Sequence, residues 1–269
     1  MVKHRIAVLS DIHGNLTALK AVLEDAKARE VNDYWLLGDT YLSGPGTLEI
    51  AELLGSLPIS ASIRGNWEDM ILNVIKGRKE MTDKPKDVYM DKLVDYFLLM
   101  SDEKLLKDME NLPAYQERQV EGLKFLISHN LPDKSAGDEL RTASPQENYD
   151  RLFENFDADI ALYGHVHHQM MRYSSKNQMI INPGSVGSPY FYHTSFEKDL
   201  RAQYAILEVD EYGLADINFR KVVYDKSKEL DLAKAKELPF YEVFKAKLEI
   251  GKNLSSNADV LKEIIDKQY

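Results

Sequence analysis

The chain has 269 residues, of which 44% are hydrophobic, enough for one large domain with a substantial core, which argues against global disorder. Its formal net charge of −10 disfavours sequence-blind binding to nucleic-acid duplexes, because an acidic surface repels the phosphate backbone. Cysteine is absent, which excludes disulfides, thiolate metal ligands and cysteine nucleophiles.

The first predicted element is a buried strand at residues 5–10, which the chain enters after a short polar segment. That segment lacks the apolar stretch of a signal peptide. The sequence also has no run of 18 apolar residues, the length that a membrane span would need. We therefore expect a cytoplasmic protein that has no membrane partner.

Strands and helices alternate along the next part of the chain. Apolar residues at helical spacing predict a helix over residues 15–30. A strand, a helix and a strand are predicted at 33–37, 47–57 and 59–63. This alternation predicts an α/β layered fold, in which ligands gather beyond the carboxyl ends of the strands.

A helical insertion is predicted at about residues 68–112, where the pattern turns helical and rich in Asp, Lys, Met and Leu. The preferred interpretation is an ordinary packed excursion whose edge borders the site. The alternative interpretation is a cap that covers the site and selects the substrate.

The second half of the chain begins with a predicted strand at 122–128, a polar loop at 130–145 and a helix at 145–155. A strand at 159–163 follows. Three further strand-like runs are interpreted as a second sheet; they lie at 178–181, 203–209 and 214–224. The Lys- and Glu-rich tail at 226–269 predicts two or three helices, which either pack on the body or form a homo-oligomer.

Five short polar clusters each follow an apolar run. They contain Asp11 with His13, Asp39, Asn66, His129, and His165 with His167. Carboxylate, amide and imidazole groups are ligands that metal ions of hard or borderline character prefer. Any one cluster alone is more consistent with ordinary turn residues, but five in this order predict one site built from several strand ends. Two neighbouring metals in such a site would favour displacement reactions at phosphorus.

The order Asp-x-His, Gly-Asp, Gly-Asn, His and Gly-His-x-His is similar to that of the calcineurin-like metallophosphoesterases. The segments 37–39, 64–66 and 182–187 also resemble that family, and 201–207 resembles its small bacterial phosphodiesterase and diadenosine-polyphosphatase-like branch. The resemblance covers about residues 4–210. It implies a four-layer α-β-β-α sandwich of two mixed sheets flanked by helices. The resemblance does not explain the helical insertion or the tail, and we expect a domain at 1–225 on which a helical extension at 226–269 packs.

The resemblance also implies a role for each residue of the five clusters. Asp11, His13 and His167 would hold one metal ion, and Asn66, His129 and His165 a second, with Asp39 bridging the two. Asp39, Asn66 and His13 would act directly in catalysis, in which a hydroxide shared by the metals attacks phosphorus. The two ions would be manganese, iron or both, with zinc, nickel and cobalt as alternatives.

One departure from the family pattern concerns the leaving group. Family members have Gly-Asn-His followed by an acid, whereas this chain has Trp67 and Glu68 after Asn66. The missing histidine would normally protonate the leaving group, so its loss favours substrates with good leaving groups. We expect a small nucleotide substrate with a phosphodiester or phosphoanhydride bond, such as diadenosine tetraphosphate cleaved asymmetrically. Glu68 is interpreted as a helix N-terminal charge.

A second departure from the family pattern disfavours two other functions. The Asp-Arg-Gly segment of serine/threonine protein phosphatases and symmetrically cleaving diadenosine tetraphosphatases is missing after Gly38 and Asp39. A general phosphomonoesterase remains an alternative. A non-catalytic scaffold with the same fold is an alternative of another class.

Four residues outside the ligand set are candidates for substrate binding together with Asn66. They are Arg64, Trp67, His168 and His193. Arg64 would contact phosphate or form a salt bridge, and Trp67 would stack on a base or pack in the core. His168 would replace the missing acid or have a structural role, and His193 would border a nucleotide or pack within its aromatic loop.

Overall fold

The computed structural model describes residues 3–77, 82–191 and 193–268. Within these ranges the strands form two mixed five-stranded sheets. The strands of the first sheet are β1 (His4–Leu9), β2 (Asp33–Leu36), β3 (Ile59–Ser62), β9 (Ala202–Asp210) and β10 (Gly213–Val222). Their spatial order is β10-β9-β1-β2-β3; β1, β2 and β3 are parallel, and β9 and β10 run antiparallel to their neighbours.

The second sheet also has three parallel strands, but it has one antiparallel strand at each edge. Its strands are β4 (Tyr115–Val120), β5 (Leu123–Ser128), β6 (Ile160–Tyr163), β7 (Gln169–Tyr173) and β8 (Met179–Pro183). Their spatial order is β4-β5-β6-β8-β7, with β5, β6 and β8 parallel.

The two sheets pack face to face. Alternate residues of a strand point to opposite sides of its sheet, and in the central strands both sides are apolar. Ile6 and Val8 of β1 belong to the core between the sheets, whereas Ala7 and Leu9 belong to the core beneath the outer helices. The pair formed by Trp35 and Phe125 joins the sheets edge to face, with ring centroids 5.1 Å apart, a geometry worth roughly 0.5–1.5 kcal/mol beyond burial. The predicted four-layer α-β-β-α sandwich is confirmed.

Nine α-helices surround the sheets within the described residues. They are α1 (Leu16–Ala28), α2 (Leu48–Gly55), α3 (Asn66–Ile75), α4 (Pro85–Met100), α5 (Glu103–Glu110), α6 (Gln146–Asp150), α7 (Lys226–Ala235), α8 (Tyr241–Ile250) and α9 (Ala258–Gln268). None of these helices has both the length and the apolar character that a membrane span requires. Parts of four predicted segments lie outside the described residues: 1–2, 78–81, 192 and 269.

The prediction that three late strands form a second sheet is wrong. Only β8 joins β5 and β6, whereas β9 and β10 complete the first sheet beside β1. An apolar pattern identifies a buried strand but not its partner, and β9 reaches β1 from the far end of the chain. The edge strands β4 and β7 were not predicted, because their exposed and polar residues obscure the strand pattern.

The C-terminal helices pack on the body of the protein. Helix α7 contacts α1, and α9 contacts α4 of the insertion. Glu229 of α7 is fully buried and accepts hydrogen bonds from the backbone N–H groups of Leu16 and Thr17 at 3.2 and 2.8 Å. A carboxylate at a helix N-terminus is favourable because it meets unpaired N–H groups and the positive end of the helix dipole. This contact fixes the extension to the first helix.

Candidate metal centre

The parallel strands of both sheets end at one side of the sandwich, and the predicted ligands lie there. They are Asp11 and His13 after β1, Asp39 after β2, Asn66 after β3, His129 after β5, and His165 and His167 after β6. The carboxyl ends of parallel strands meet at one edge of a sheet, and the face-to-face packing brings the two edges together. All seven residues therefore converge on one place.

Asp11, His13 and His167 form one group that is able to hold a metal ion. His167 Nε2 lies 3.1 Å from Asp11 Oδ1 and 3.0 Å from His13 Nε2. The distance from His13 Nε2 to Asp11 Oδ1 is 3.7 Å. One oxygen and two nitrogens thus point at a common centre.

A second set of donors lies beside the first, and Asp39 lies between the two sets. Asp39 Oδ2 is 3.3 Å from His129 Nε2 and 3.8 Å from His13 Nε2, so it lies between the two sets. The amide oxygen of Asn66 is 3.1 Å from His129 Nε2 and 2.8 Å from His165 Nδ1. This geometry suits a bridging carboxylate.

The backbone fixes which nitrogen of each imidazole faces the centre. In three of them Nδ1 lies against a carbonyl oxygen: His13 with Leu42 at 2.6 Å, His129 with Leu37 at 2.6 Å and His167 with Ser188 at 2.5 Å. His165 is reversed, because its Nε2 lies 3.0 Å from the carbonyl oxygen of Gly137. When the outer N–H donates to a carbonyl, the inner nitrogen presents its lone pair, as in metal-binding histidines.

The arrangement of these side chains suits a metal ion, because hydrogen-bond acceptors face other acceptors. Asp11 Oδ1 is buried, and no group among the described residues donates a hydrogen bond to it. The Asn66 oxygen faces two imidazole nitrogens, and only a rotated amide would place its NH₂ group there. Buried acceptors without donors are costly. Cations at the two sets would satisfy them.

Electrostatics supports the same conclusion. Burial opposes the charged form of His129, but the Asp39 and Asp11 carboxylates outweigh it and raise the His129 pKa to about 10. Burial lowers the pKa of His13 to about 3, which keeps that imidazole neutral at physiological pH. The carboxylates therefore demand positive charge at the centre, which a metal ion would supply while leaving every imidazole neutral.

The backbone around the centre is strained at the ligands themselves. Five of the predicted ligands have the left-handed conformation that side chains rarely adopt: Asp11, His13, Asp39, His165 and His167, with φ values of 54°, 51°, 52°, 64° and 56°. Strain of this kind costs of order 1–3 kcal/mol per residue and collects at functional sites. The fold therefore holds these side chains in place at the expense of local stability.

Two glycines allow the loops after β2 and β3 to touch. A Cβ atom on Gly38 would overlap the backbone nitrogen of Gly65, and one on Gly65 would overlap Asp39. Gly38 also has a φ of 87°, which favours glycine. The close approach brings Asp39 to the start of α3, where its Oδ1 accepts a hydrogen bond of 2.8 Å from the Trp67 N–H.

Glu68 was interpreted as a helix N-terminal charge; it does lie in the first turn of α3, and the structure gives it a further role. Its carboxylate is fully buried and accepts hydrogen bonds from the backbone N–H groups of Asp39, Thr40, Tyr41 and Gly65 at 2.8, 2.9, 3.4 and 2.8 Å. It thereby ties the Asp39 loop to the first turn of α3. The bond from Gly65 N–H is a local helix cap, but the sequence pattern gave no signal for the other three bonds, because their donors lie in a loop that is distant along the chain.

The predicted substrate residues near Asn66 have different surroundings. Trp67 is partly buried, lies edge to face with His13 at a centroid distance of 6.0 Å, and borders the cavity of the metal centre. Arg64 instead forms a 2.6 Å ion pair with Asp69 and donates to the carbonyl of Leu112. The salt-bridge alternative therefore describes Arg64 in this structure.

The other two histidine candidates do not line that cavity. His168 Nδ1 is 3.3 Å from the carbonyl oxygen of Tyr190, and its ring lies edge to face with Phe191. His193 is exposed and accepts a hydrogen bond of 3.2 Å from the Ser195 N–H. Their roles in substrate binding stay predictions.

The centre opens into a cavity of about 150 Å³ that sequence reasoning did not foresee. One side is formed by predicted ligands and Trp67, with Ser43 and Tyr89 beside them. The opposite side is a C-terminal wall that consists of Val243, Phe244, Lys247, Asn253 and Ser255. Lys247 gave no signal in the sequence, since α8 reaches the centre only through tertiary packing. Burial lowers its pKa to about 8, against the opposing effect of the Asp11 and Asp39 carboxylates.

Metal removal should destabilise the protein measurably. Cations that bind only the folded state add RT ln(1 + [L]/Kd), which is about 2.7 kcal/mol at one hundred times Kd. We expect Mn²⁺ to raise the thermal midpoint of chelator-treated protein by roughly 5–10 °C, as measured by scanning calorimetry. Mg²⁺, a hard ion that imidazoles bind poorly, is the control. No response to any transition metal would contradict the site.

Comparison with known proteins gives four similarities. A profile described as the calcineurin-like phosphoesterase superfamily domain matches residues 5–212. The uncharacterised protein MJ0912 of Methanocaldococcus jannaschii is 30% identical over 240 residues, which cover 78% of this chain and 90% of that protein. A symmetrical bis(5'-nucleosyl)-tetraphosphatase of Pectobacterium atrosepticum is 30% identical over 124 residues, 45% of this chain and 41% of that protein. The solved structure of hypothetical protein PH1004 from Pyrococcus horikoshii OT3 has a TM-score of 0.74 at 22% identity, covering 92% of this chain and 99% of that one.

Proposed function

This chain belongs to the calcineurin-like phosphoesterase superfamily, and we propose that it uses two metal ions to hydrolyse phosphodiester and phosphoanhydride bonds of nucleotide-type substrates. The observation that carries the proposal is the position of Asp39 Oδ2 between His13 and His129, one nitrogen from each donor set. Two such ions would lower the pKa of a bound water and neutralise charge on the phosphoryl oxygens. Manganese and iron are the ions we favour, with zinc, nickel and cobalt as alternatives.

The chain's own residues would perform three tasks. Asp39 would keep the two donor sets at a fixed separation, because its loop is tied to α3 through Glu68. The outward N–H bonds of His13 and His129 would hold the rings in place while charge develops at phosphorus. The amide of Asn66, at the start of α3, would orient a phosphoryl oxygen as well as bind metal.

Leaving-group chemistry narrows the substrate class. Trp67 occupies the position where family members have the histidine that protonates the departing oxygen, and indole is no acid in this pH range. A nucleotide or polyphosphate leaves without that help, whereas an alkoxide does not. We therefore propose asymmetric cleavage of dinucleoside polyphosphates such as diadenosine tetraphosphate, a small cytoplasmic substrate, with no nucleic-acid or membrane partner.

A second candidate function is favoured by the size of the cavity. A volume of about 150 Å³ is smaller than the roughly 300–1,000 Å³ of typical small-molecule pockets, so the enclosed space suits a phosphoryl group better than a whole dinucleotide. A phosphomonoester with a small activated leaving group fits this space directly. A dinucleotide fits only if its nucleosides extend through the opening of the cavity.

An assay with leaving groups of graded acidity separates these candidates and tests the role of Trp67. With Mn²⁺ we expect bis-nitrophenyl phosphate and diadenosine tetraphosphate to react faster than phenyl or alkyl esters. Trp67→His should raise kcat/KM for the poor leaving groups by about 10- to 100-fold relative to nitrophenol, because an imidazole can act as general acid.

Trp67→Phe is the matched control, since it keeps an aromatic ring and adds no acid. A phosphomonoester that turns over faster than every diester would favour the second candidate. A phosphoserine peptide that proves the best substrate would contradict the leaving-group argument altogether.

A further inference from the structure

The C-terminal wall closes the cavity from the side opposite the predicted ligands. It belongs to α8 and to the 3-10 turn at Leu254–Ser256, which lie beyond the part of the chain that matches the family profile. Val243 and Phe244 are buried and anchor α8 in the core, while Lys247, one turn further along, borders the cavity. The burial of these two residues therefore fixes the position of Lys247 on the side of the cavity opposite the predicted ligands.

Lys247 brings a positive charge to this cavity, and the carboxylates that favour its charged form, Asp11 and Asp39, belong to the predicted metal centre. Among the residues that the structure describes, no carboxylate forms an ion pair with Lys247, and it is the only Lys or Arg side chain that lines the cavity. Arg64, the cation predicted to contact phosphate, is paired with Asp69 outside it. An ammonium group that is partly buried and lacks a partner is costly unless an anion joins it.

The anion has to be compatible with the metal centre that faces Lys247. Two divalent cations would outweigh the Asp11 and Asp39 carboxylates, so an ammonium across the cavity would be repelled unless negative charge lay between them. A phosphoryl group has this charge and is small enough for a cavity of about 150 Å³.

We propose that Lys247 binds a non-bridging oxygen of the substrate's phosphoryl group, so that the C-terminal extension completes the active site. This inference rests on the proposed function, because it assumes that phosphorus lies at the metal centre. Lys247 would act as a point charge with three N–H donors, and the ester group would leave toward the open side of the cavity.

Binding of inorganic phosphate to the full-length protein reconstituted with Mn²⁺ tests the proposal by a readout other than turnover. Lys247→Gln should weaken phosphate binding in isothermal titration calorimetry by about 10- to 100-fold, the range for losing a charged hydrogen bond. Lys247→Arg, which keeps the charge, should retain most of the affinity. Lys245→Gln on the same helix, outside the cavity lining, should bind as the wild type does.

Metal content separates a binding role from a structural one, because Lys247 is not a predicted ligand. Lys247→Gln protein with the wild-type manganese content and weakened phosphate binding would support the inference. Wild-type phosphate affinity in Lys247→Gln, or an equal loss in Lys247→Arg, would overturn it while the proposed function stood. A wild-type protein that neither binds phosphate nor hydrolyses any phosphoester would overturn both.

Discussion

Asp39→Asn should reduce kcat/KM by about 10³-fold, or about 4 kcal/mol of transition-state stabilisation. Asp39 Oδ2 lies between the two donor sets, and an amide in its place has neither the charge nor a second oxygen to share between two cations. The fold should survive, because the single amide oxygen that the substitution leaves can still accept the hydrogen bond that Trp67 N–H donates to Asp39 Oδ1. Steady-state kinetics with an activated diester and elemental analysis of bound metal measure the two effects.

Asp216→Asn is the matched control for this substitution, because Asp216 is exposed on β10, away from the centre. It should change neither activity nor metal content. Asp39→Asn protein that kept two metal ions and full activity would show that the carboxylate does not bridge, and the proposed mechanism would be wrong.

Glu68→Ala should destabilise the protein by about 4 kcal/mol or more. The substitution leaves four buried backbone N–H groups without their acceptor, and each unsatisfied donor costs about 1–3 kcal/mol. At about 2–4 °C per kcal/mol for a chain of this size class, the thermal midpoint should fall by roughly 10 °C. Urea unfolding with chelator present measures the effect without a contribution from bound metal.

Two further variants make this result interpretable. Glu52→Ala, at an exposed position of α2, should leave the free energy of unfolding within about 0.5 kcal/mol of the wild-type value. The free energy of unfolding of Glu68→Gln should lie between those of the wild type and Glu68→Ala. The amide keeps one acceptor oxygen, but its NH₂ group faces two of the N–H donors. An unchanged midpoint in Glu68→Ala would contradict the assigned hydrogen bonds.

These two residues also show how stability and chemistry are connected at this centre. The left-handed backbone at Asp39 is unfavourable in isolation, and the N–H bonds that Glu68 accepts hold that backbone in place. We therefore expect Glu68→Ala to lose metal affinity as well as stability, although Glu68 itself is not a predicted ligand.

The sequence alone determined the donor atoms of the site and the order in which the chain supplies them. Each predicted ligand follows an apolar run closely, so local periodicity located the strand ends, and the layered α/β class made their convergence an expectation. The resemblance to the calcineurin-like phosphoesterases, stated on the same residues, is confirmed. The roles of the individual ligands stay predictions, although the structure brings all seven together.

Only the tertiary structure decided which distant segments meet these ligands. Periodicity marks β9 as buried, but its place beside β1 depends on contacts between the two ends of the chain. The burial of Glu68 and the arrival of Lys247 at the cavity have the same cause, since both depend on how loops and helices pack after the strands have formed. Local sequence patterns carry no information about such non-local contacts, because the free energy that fixes them comes from packing over the whole fold.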